Sequence, residues 1–127
     1  MRYFSVSEAE DLIPEIEKIY AAVIEIAGKI QLKSEQIDRL QSQKGDVAQI
    51  AIEKSQLEFL TGGLEDWLRK ILDLGAFPKG LNPALVDFPH RLAGKEVYLC
   101  WQVGEKHITY YHGIEEGFPG RKKLPAN

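Results

Sequence analysis

The chain has 127 residues, 44% of them hydrophobic, a net charge of −3 and a single cysteine. That is length and apolar content for one domain with its own core, and the lone Cys100 excludes an internal disulfide framework. The acidic balance disfavours general binding to nucleic-acid phosphates, which calls for a basic stripe.

At the N-terminus, Met1-Arg2-Tyr3-Phe4 leads at once into Ser5, Ser7, Glu8, Glu10 and Asp11, a pattern that is no secretory leader. Ser5 with Glu8 and Ser7 with Glu10 make two overlapping capping boxes, each a serine oxygen for an orphan amide and a Glu reaching back. Apolar residues then alternate at spacings of three and four through Ala9, Leu12, Ile16, Ile19, Val23, Ile26, Ile30, Ile37 and Leu40, broken only by Lys33. A period of about 3.5 is the seam of a coiled coil. Pro14 lies inside it, so a kink or a separate short first helix is expected. Gly45-Asp46 reads as the turn between helices, with Gly closing one and Asp capping the next. The seam resumes at Val47, Ile50, Leu57, Leu64, Leu68 and Ile71, with Lys54 and Thr61 as polar members. Gly62-Gly63 interrupts it, and two glycines cost a helix about 1.5–2 kcal/mol relative to alanines, so a break or a kink is expected there. The last helical segment ends at Gly75, and the short turn makes the long helices antiparallel. The longest apolar stretch, Tyr20 to Ile24, is too short for a bilayer span, and the expected setting is the cytoplasm.

Residues 76–83, rich in Gly and Pro, read as a connector that is neither helix nor strand. Three strands follow, Ala84 to Pro89, Glu96 to Val103 and His107 to Gly113, turning at Ala93-Gly94 and Glu105-Lys106. These turns set Val86 opposite Trp101, Asp87 opposite Cys100 and Phe88 opposite Leu99. Across the second hairpin they set Trp101 opposite Tyr110, Leu99 opposite His112 and Val103 opposite Ile108. Alternation then puts Val86, Phe88, Leu99, Trp101, Tyr110 and His112 on the helix-facing side, and Asp87, Tyr98, Cys100 and Tyr111 on the other. The expected fold is α+β, a single domain over 1–127. It comprises a long antiparallel, coiled-coil-like helical hairpin (1–75), the connector (76–83), a three-stranded antiparallel β-meander (84–114) and a C-terminal loop and tail (115–127).

Among residues with chemistry, His112 stands at a strand end, with Glu115, Glu116 and Arg121 following and His90 expected diagonally near. Two histidines and carboxylates are the material of a divalent-metal site or of acid–base chemistry. The spacing matches no compact metal motif, and the alternative role is a histidine closing the core edge. Asp87 is unusual in a short strand and is expected to pair with Arg91 or Arg121, or to hold a polar ligand. Cys100 has no base beside it in sequence, which leaves nucleophilic catalysis weakly supported. Gly117-Phe118-Pro119-Gly120-Arg121 is a turn-rich loop unlike a phosphate loop or a dinucleotide fingerprint.

Several stretches together resemble a known family: Tyr3-Phe4-Ser5-Val6 with Glu8-Ala9 and Leu12-Ile13-Pro14, Leu85-Val86-Asp87-Phe88-Pro89, Glu96-Val97-Tyr98-Leu99-Cys100-Trp101, Gly104-Glu105, Tyr111-His112, and Gly117-Phe118 with Gly120-Arg121. The chain resembles the small prokaryotic proteins of domain of unknown function 2203. Ala84 stands where that family's pattern has glycine. The resemblance implies no activity. It directs attention to Asp87, Trp101, Glu105, His112 and Arg121, which occupy its motif positions.

The reading that follows is a non-enzymatic binding or assembly module. It self-associates through its helices, with a homodimer expected because the Ile-rich seam is generous for so small a sheet. The sheet end is its contact site for a protein partner or small ligand, with Asp87, Trp101, Glu105, His112, Glu116 and Arg121 as candidates. No residue is assigned as catalytic, no cofactor is named and the metal question is open. The alternative is a small-molecule- or metal-dependent enzyme using His112, Asp87, Glu116 and Arg121, signalled by their clustering in a concave pocket. Membrane and nucleic-acid partners are not expected.

Overall fold

Ser5 opens helix α1 (Val6–Asp11) in the computed structural model, which describes residues 1–125. Ser5 Oγ accepts the Glu8 N–H at 3.0 Å, and Glu8 Oε1 accepts the Ser5 N–H at 2.9 Å. Of the two expected capping boxes only this one forms. Glu10 turns instead to the segment before Tyr110, where its Oε2 accepts the Ile108 N–H at 2.9 Å. Pro14 acts as expected: α1 stops at Asp11 and α2 (Ile13–Ser42) begins anew, with proline in a first turn whose amides have no acceptor inside the helix.

Helix α3 (Val47–Asp73) follows a turn in which Lys44, at φ +52°, takes the left-handed position that Gly45 was expected to hold. The Gly45 N–H reaches the Leu40 carbonyl at 2.7 Å and the Lys44 N–H reaches Gln41 at 3.2 Å, a Schellman closure one residue earlier than expected. Asp46 caps α3 through its Oδ1 and the Ala48 N–H. The expected break at Gly62-Gly63 is absent, and α3 is continuous. A helix already propagated on both sides adds one bond per residue fixed, so the glycines weaken it without ending it.

Lys33, the polar break in the α2 seam, donates to Glu53 at 2.5 Å and to Gln56 at 2.7 Å on α3. Glu53, which is buried, is thus the seam's polar member, and the exposed Lys54 is not. A polar pair within a seam penalises every other alignment of the two helices. No helix is long and apolar enough to cross a membrane among the described residues. The chain gathers into two units, residues 19–69 and residues 1–18 with those from 70 onward.

The second unit carries a five-stranded antiparallel sheet rather than a three-stranded one, in sequential order β1 (Phe77–Leu81), β2 (Ala84–Leu92), β3 (Lys95–Gln102), β4 (Tyr110–Gly113) and β5 (Lys122–Lys123). The expected connector is therefore mostly strand. Its Pro78 is tolerated because β1 is an edge strand with one unpaired side, and its Gly80, at φ +83°, is the unpaired residue of a bulge between Lys79, opposite Leu85, and Leu81, opposite Ala84. Val86, Phe88, Leu99 and Trp101 are fully buried on one face, and Phe4 meets Phe88 edge-on at 5.3 Å between ring centres. The first hairpin has the expected register, Val86 with Trp101, Asp87 with Cys100 and Phe88 with Leu99. Both residues of its turn have positive φ, Ala93 at +51° and Gly94 at +80°. An alanine there carries a Cβ penalty that the short polar side chain of Asn offsets by bonding the local backbone, so Ala93→Asn is expected to raise unfolding stability by about 1 kcal/mol in urea titrations. An unchanged or lowered midpoint would speak against the strained turn.

Candidate functional site

Strands β3 and β4 pair with Tyr98 opposite His112, Leu99 opposite Tyr111 and Cys100 opposite Tyr110. This is one residue away from the expected register, and its cause is the loop. Gly104, at φ +106°, lies in a turn closed by the Glu105 N–H on the Gln102 carbonyl at 3.0 Å. Residues 103–109 then run as a longer loop in place of a two-residue turn, so β4 begins at Tyr110 rather than His107. A slip of one residue moves every side chain of a strand to the opposite face. His112 therefore leaves the face of Leu99 and Trp101 and joins Asp87, Tyr98 and Cys100, while Tyr111 joins Leu99.

There Asp87, Cys100 and His112 are all buried, and one donor atom from each lies within 4.8 Å of the others. His112 Nδ1 is 2.8 Å from the Gly113 carbonyl oxygen, and Nε2 is 3.0 Å from Asp87 Oδ1. A carbonyl only accepts, so Nδ1 carries a hydrogen and Nε2 with Asp87 shares one more proton. Burial pushes the Asp87 carboxyl above its usual range, while the His112 hydrogen bond pulls it down. Burial likewise pushes the Cys100 thiol up, against the pull of Arg121.

The C-terminal loop roofs this face. Glu116 Oε1 accepts the Gly113 N–H at 2.8 Å and the Lys122 ammonium at 3.1 Å, bonds that hold its carboxyl below the usual range. Gly120 is required here, because a Cβ on it would stand 2.7 Å from the Glu116 Cβ. Beyond the 3-10 turn Phe118–Gly120, the Arg121 guanidinium lies 4.0 Å from the Tyr110 ring centre and donates to the Cys100 carbonyl at 3.1 Å and to the Glu105 carboxylate. Between sheet and loop lies a pocket of about 150 Å³, lined by the three buried groups with Lys79, Leu85, Tyr98, Ile114, Glu116, Gly117 and Phe118.

The expected candidates thus divide. Asp87 and His112 meet directly and Glu116 lines their pocket, whereas Arg121 does not line it and its guanidinium holds the Cys100 carbonyl. Asp87 takes His112 as its partner rather than Arg91 or Arg121, and Arg91 lies over the Tyr3 ring at 4.4 Å. Trp101 is fully buried on the other face, its indole N–H donating to the Glu105 carbonyl at 2.9 Å. The Glu105 carboxylate accepts the Gln102 N–H at 2.8 Å and ties down Arg121. His90 is not near His112; its Nδ1 is 2.6 Å from the Phe4 carbonyl oxygen. Cys100 was left outside the candidate set, although its pairing with Asp87 was already a signal that the two side chains share a face.

A family model described as an uncharacterized conserved protein (DUF2203) matches residues 2–124. No curated protein and no solved structure matches the chain.

Proposed function

We propose that this chain, which belongs to the DUF2203 family of uncharacterized conserved proteins, is a binding and assembly module of the cytoplasm that dimerises through residues 19–69 and offers its sheet as the contact site. The observation that supports assembly is a seam left half open. Between residues 24 and 69, Ile37 and Glu53 are the only described residues that are fully buried, whereas Ile26, Ile30, Leu57, Leu60 and Leu64 remain partly exposed. On the same helices Leu32 is 67% and Phe59 83% exposed. Two helices bury one seam between them, and a second antiparallel pair closes the rest as a four-helix bundle. Charge suits a second copy as occupant: residues 19–69 hold 8 Asp/Glu and 6 Lys/Arg, interspersed, so two copies meet without strong repulsion.

Sedimentation equilibrium of the full chain is expected to give a dimer. Leu32→Glu and Phe59→Glu are expected to give monomers with unchanged circular dichroism, because both side chains already lie in solvent in one chain. A wild type that stays monomeric at every concentration overturns the assembly role.

A further inference from the structure

Asp87, Cys100 and His112 present three different donor chemistries, carboxylate oxygen, thiol sulfur and imidazole nitrogen, at one buried point. We propose that they form a three-donor site for a divalent transition-metal ion of the Zn²⁺ class. This rests on reading the sheet as the contact face and is independent of self-association.

Distance supports it first. Zn²⁺ bonds of about 2.0–2.3 Å set tetrahedral ligands roughly 3.3–3.8 Å apart. Donors already within 4.8 Å of one another close on an ion by side-chain shifts on the order of 1 Å.

The orientation of His112 is the second support. Its Nδ1–H is spent on the Gly113 carbonyl, so Nε2, which faces Asp87, is the nitrogen that becomes a donor once the shared proton leaves. A metal-binding histidine is held this way, its far nitrogen donating to a carbonyl or carboxylate that fixes tautomer and ring angle.

Charge is the third. Without an ion, the Asp87–His112 pair is neutral with its shared proton, and Cys100 is a neutral thiol. Binding releases the shared proton and the thiol proton to solvent, so two positive charges leave as two arrive. Carboxylate, thiolate and neutral imidazole then surround M²⁺ with no net charge, and the buried site carries the same total before and after. An ion pair buried without such compensation costs several kcal/mol.

Thiolate with imidazole selects a soft or borderline ion over Mg²⁺ or Ca²⁺, which favour all-oxygen shells. The adjoining pocket of about 150 Å³ leaves room for a water as fourth ligand, the open position that separates three-donor sites from closed structural ones.

The test uses the full chain, stripped with chelator and titrated with Co²⁺. A thiolate-to-Co²⁺ charge-transfer band in the near ultraviolet, tetrahedral bands in the visible, one ion per chain and displacement by Zn²⁺ are expected. Cys100 is the only cysteine, so the charge-transfer band has one source. Cys100→Ala is expected to abolish that band, and Asp87→Asn and His112→Gln to weaken binding by about 100-fold or more, beyond the 10–100-fold typical of losing a supporting contact. Circular dichroism identifies any variant that does not fold, and the wild-type titration decides without variants. Co²⁺ bound with no charge-transfer band, a stoichiometry of one ion per two chains, or no binding overturns the proposal. A monomeric protein that binds the ion leaves it intact, and a dimer that binds none leaves the assembly role intact.

Discussion

Asp87→Ala is expected to lower the unfolding free energy by about 1–3 kcal/mol, the range for leaving a buried hydrogen-bonding group without its partner. The substitution leaves His112 Nε2 without a partner in a site where both side chains are about 95% buried, at 4% and 5% exposure. Asp87→Asn is expected to behave differently. Its amide N–H donates to Nε2 while Nδ1–H stays on the Gly113 carbonyl, so stability at neutral pH stays within about 1 kcal/mol of wild type. The pH profile separates the two states of the pair. Burial raises the Asp87 carboxyl, with His112 and Lys79 acting against it. A raised carboxyl keeps its proton in the fold after the unfolded chain has lost its own, so its stabilising effect is full below the unfolded value and fades as pH rises through the folded one. Urea midpoints between about pH 4 and 7 should therefore decline with pH more steeply in the wild type than in Asp87→Asn. Parallel profiles would mean that the buried carboxyl ionises as freely as an exposed one.

Trp101→Ala should cost about 3–5 kcal/mol, the other large loss in this sheet. Trp101 is fully buried opposite Val86, and its indole N–H holds the Glu105 carbonyl. Removing it opens a cavity and also frees the loop whose carboxylate caps Gln102 and fixes Arg121 over Tyr110. Trp101→Phe retains most of the apolar contact and strands the Glu105 carbonyl, for a smaller loss of about 1–3 kcal/mol. Equilibrium urea unfolding measures both, and equal losses would show that packing volume and the hydrogen bond do not contribute separately.

The first hairpin was legible because a two-residue turn at Ala93-Gly94 leaves a single register. The second was not, because no local pattern says that Glu10, far away in sequence, takes the Ile108 N–H, or that Trp101 and Gln102 both bind Glu105. Those tertiary bonds lengthen the loop by residues that a turn propensity does not count, and the resulting slip decides which face His112 occupies. Asp87 with Cys100 was therefore readable and His112 beside them was not. In the helices Lys33 read only as a break in the seam, and heptad spacing pointed to Lys54 as the polar member of α3, whereas the charge that pairs with Lys33 lies at Glu53. The strand over 77–81 was hidden by Pro78 and Gly80, residues that an edge strand accommodates and a central one does not.

Thermal unfolding of the chelator-treated full chain, with and without Zn²⁺, tests the assignment of the sheet's second face most directly. An ion that binds only the folded chain stabilises it by about 2.7 kcal/mol at 100 times its Kd. The expected result is a clear rise in Tm for the wild type and little or none for Asp87→Asn, whose fold is otherwise intact. No rise in the wild type, or an equal rise in both, would contradict a metal site built from Asp87, Cys100 and His112.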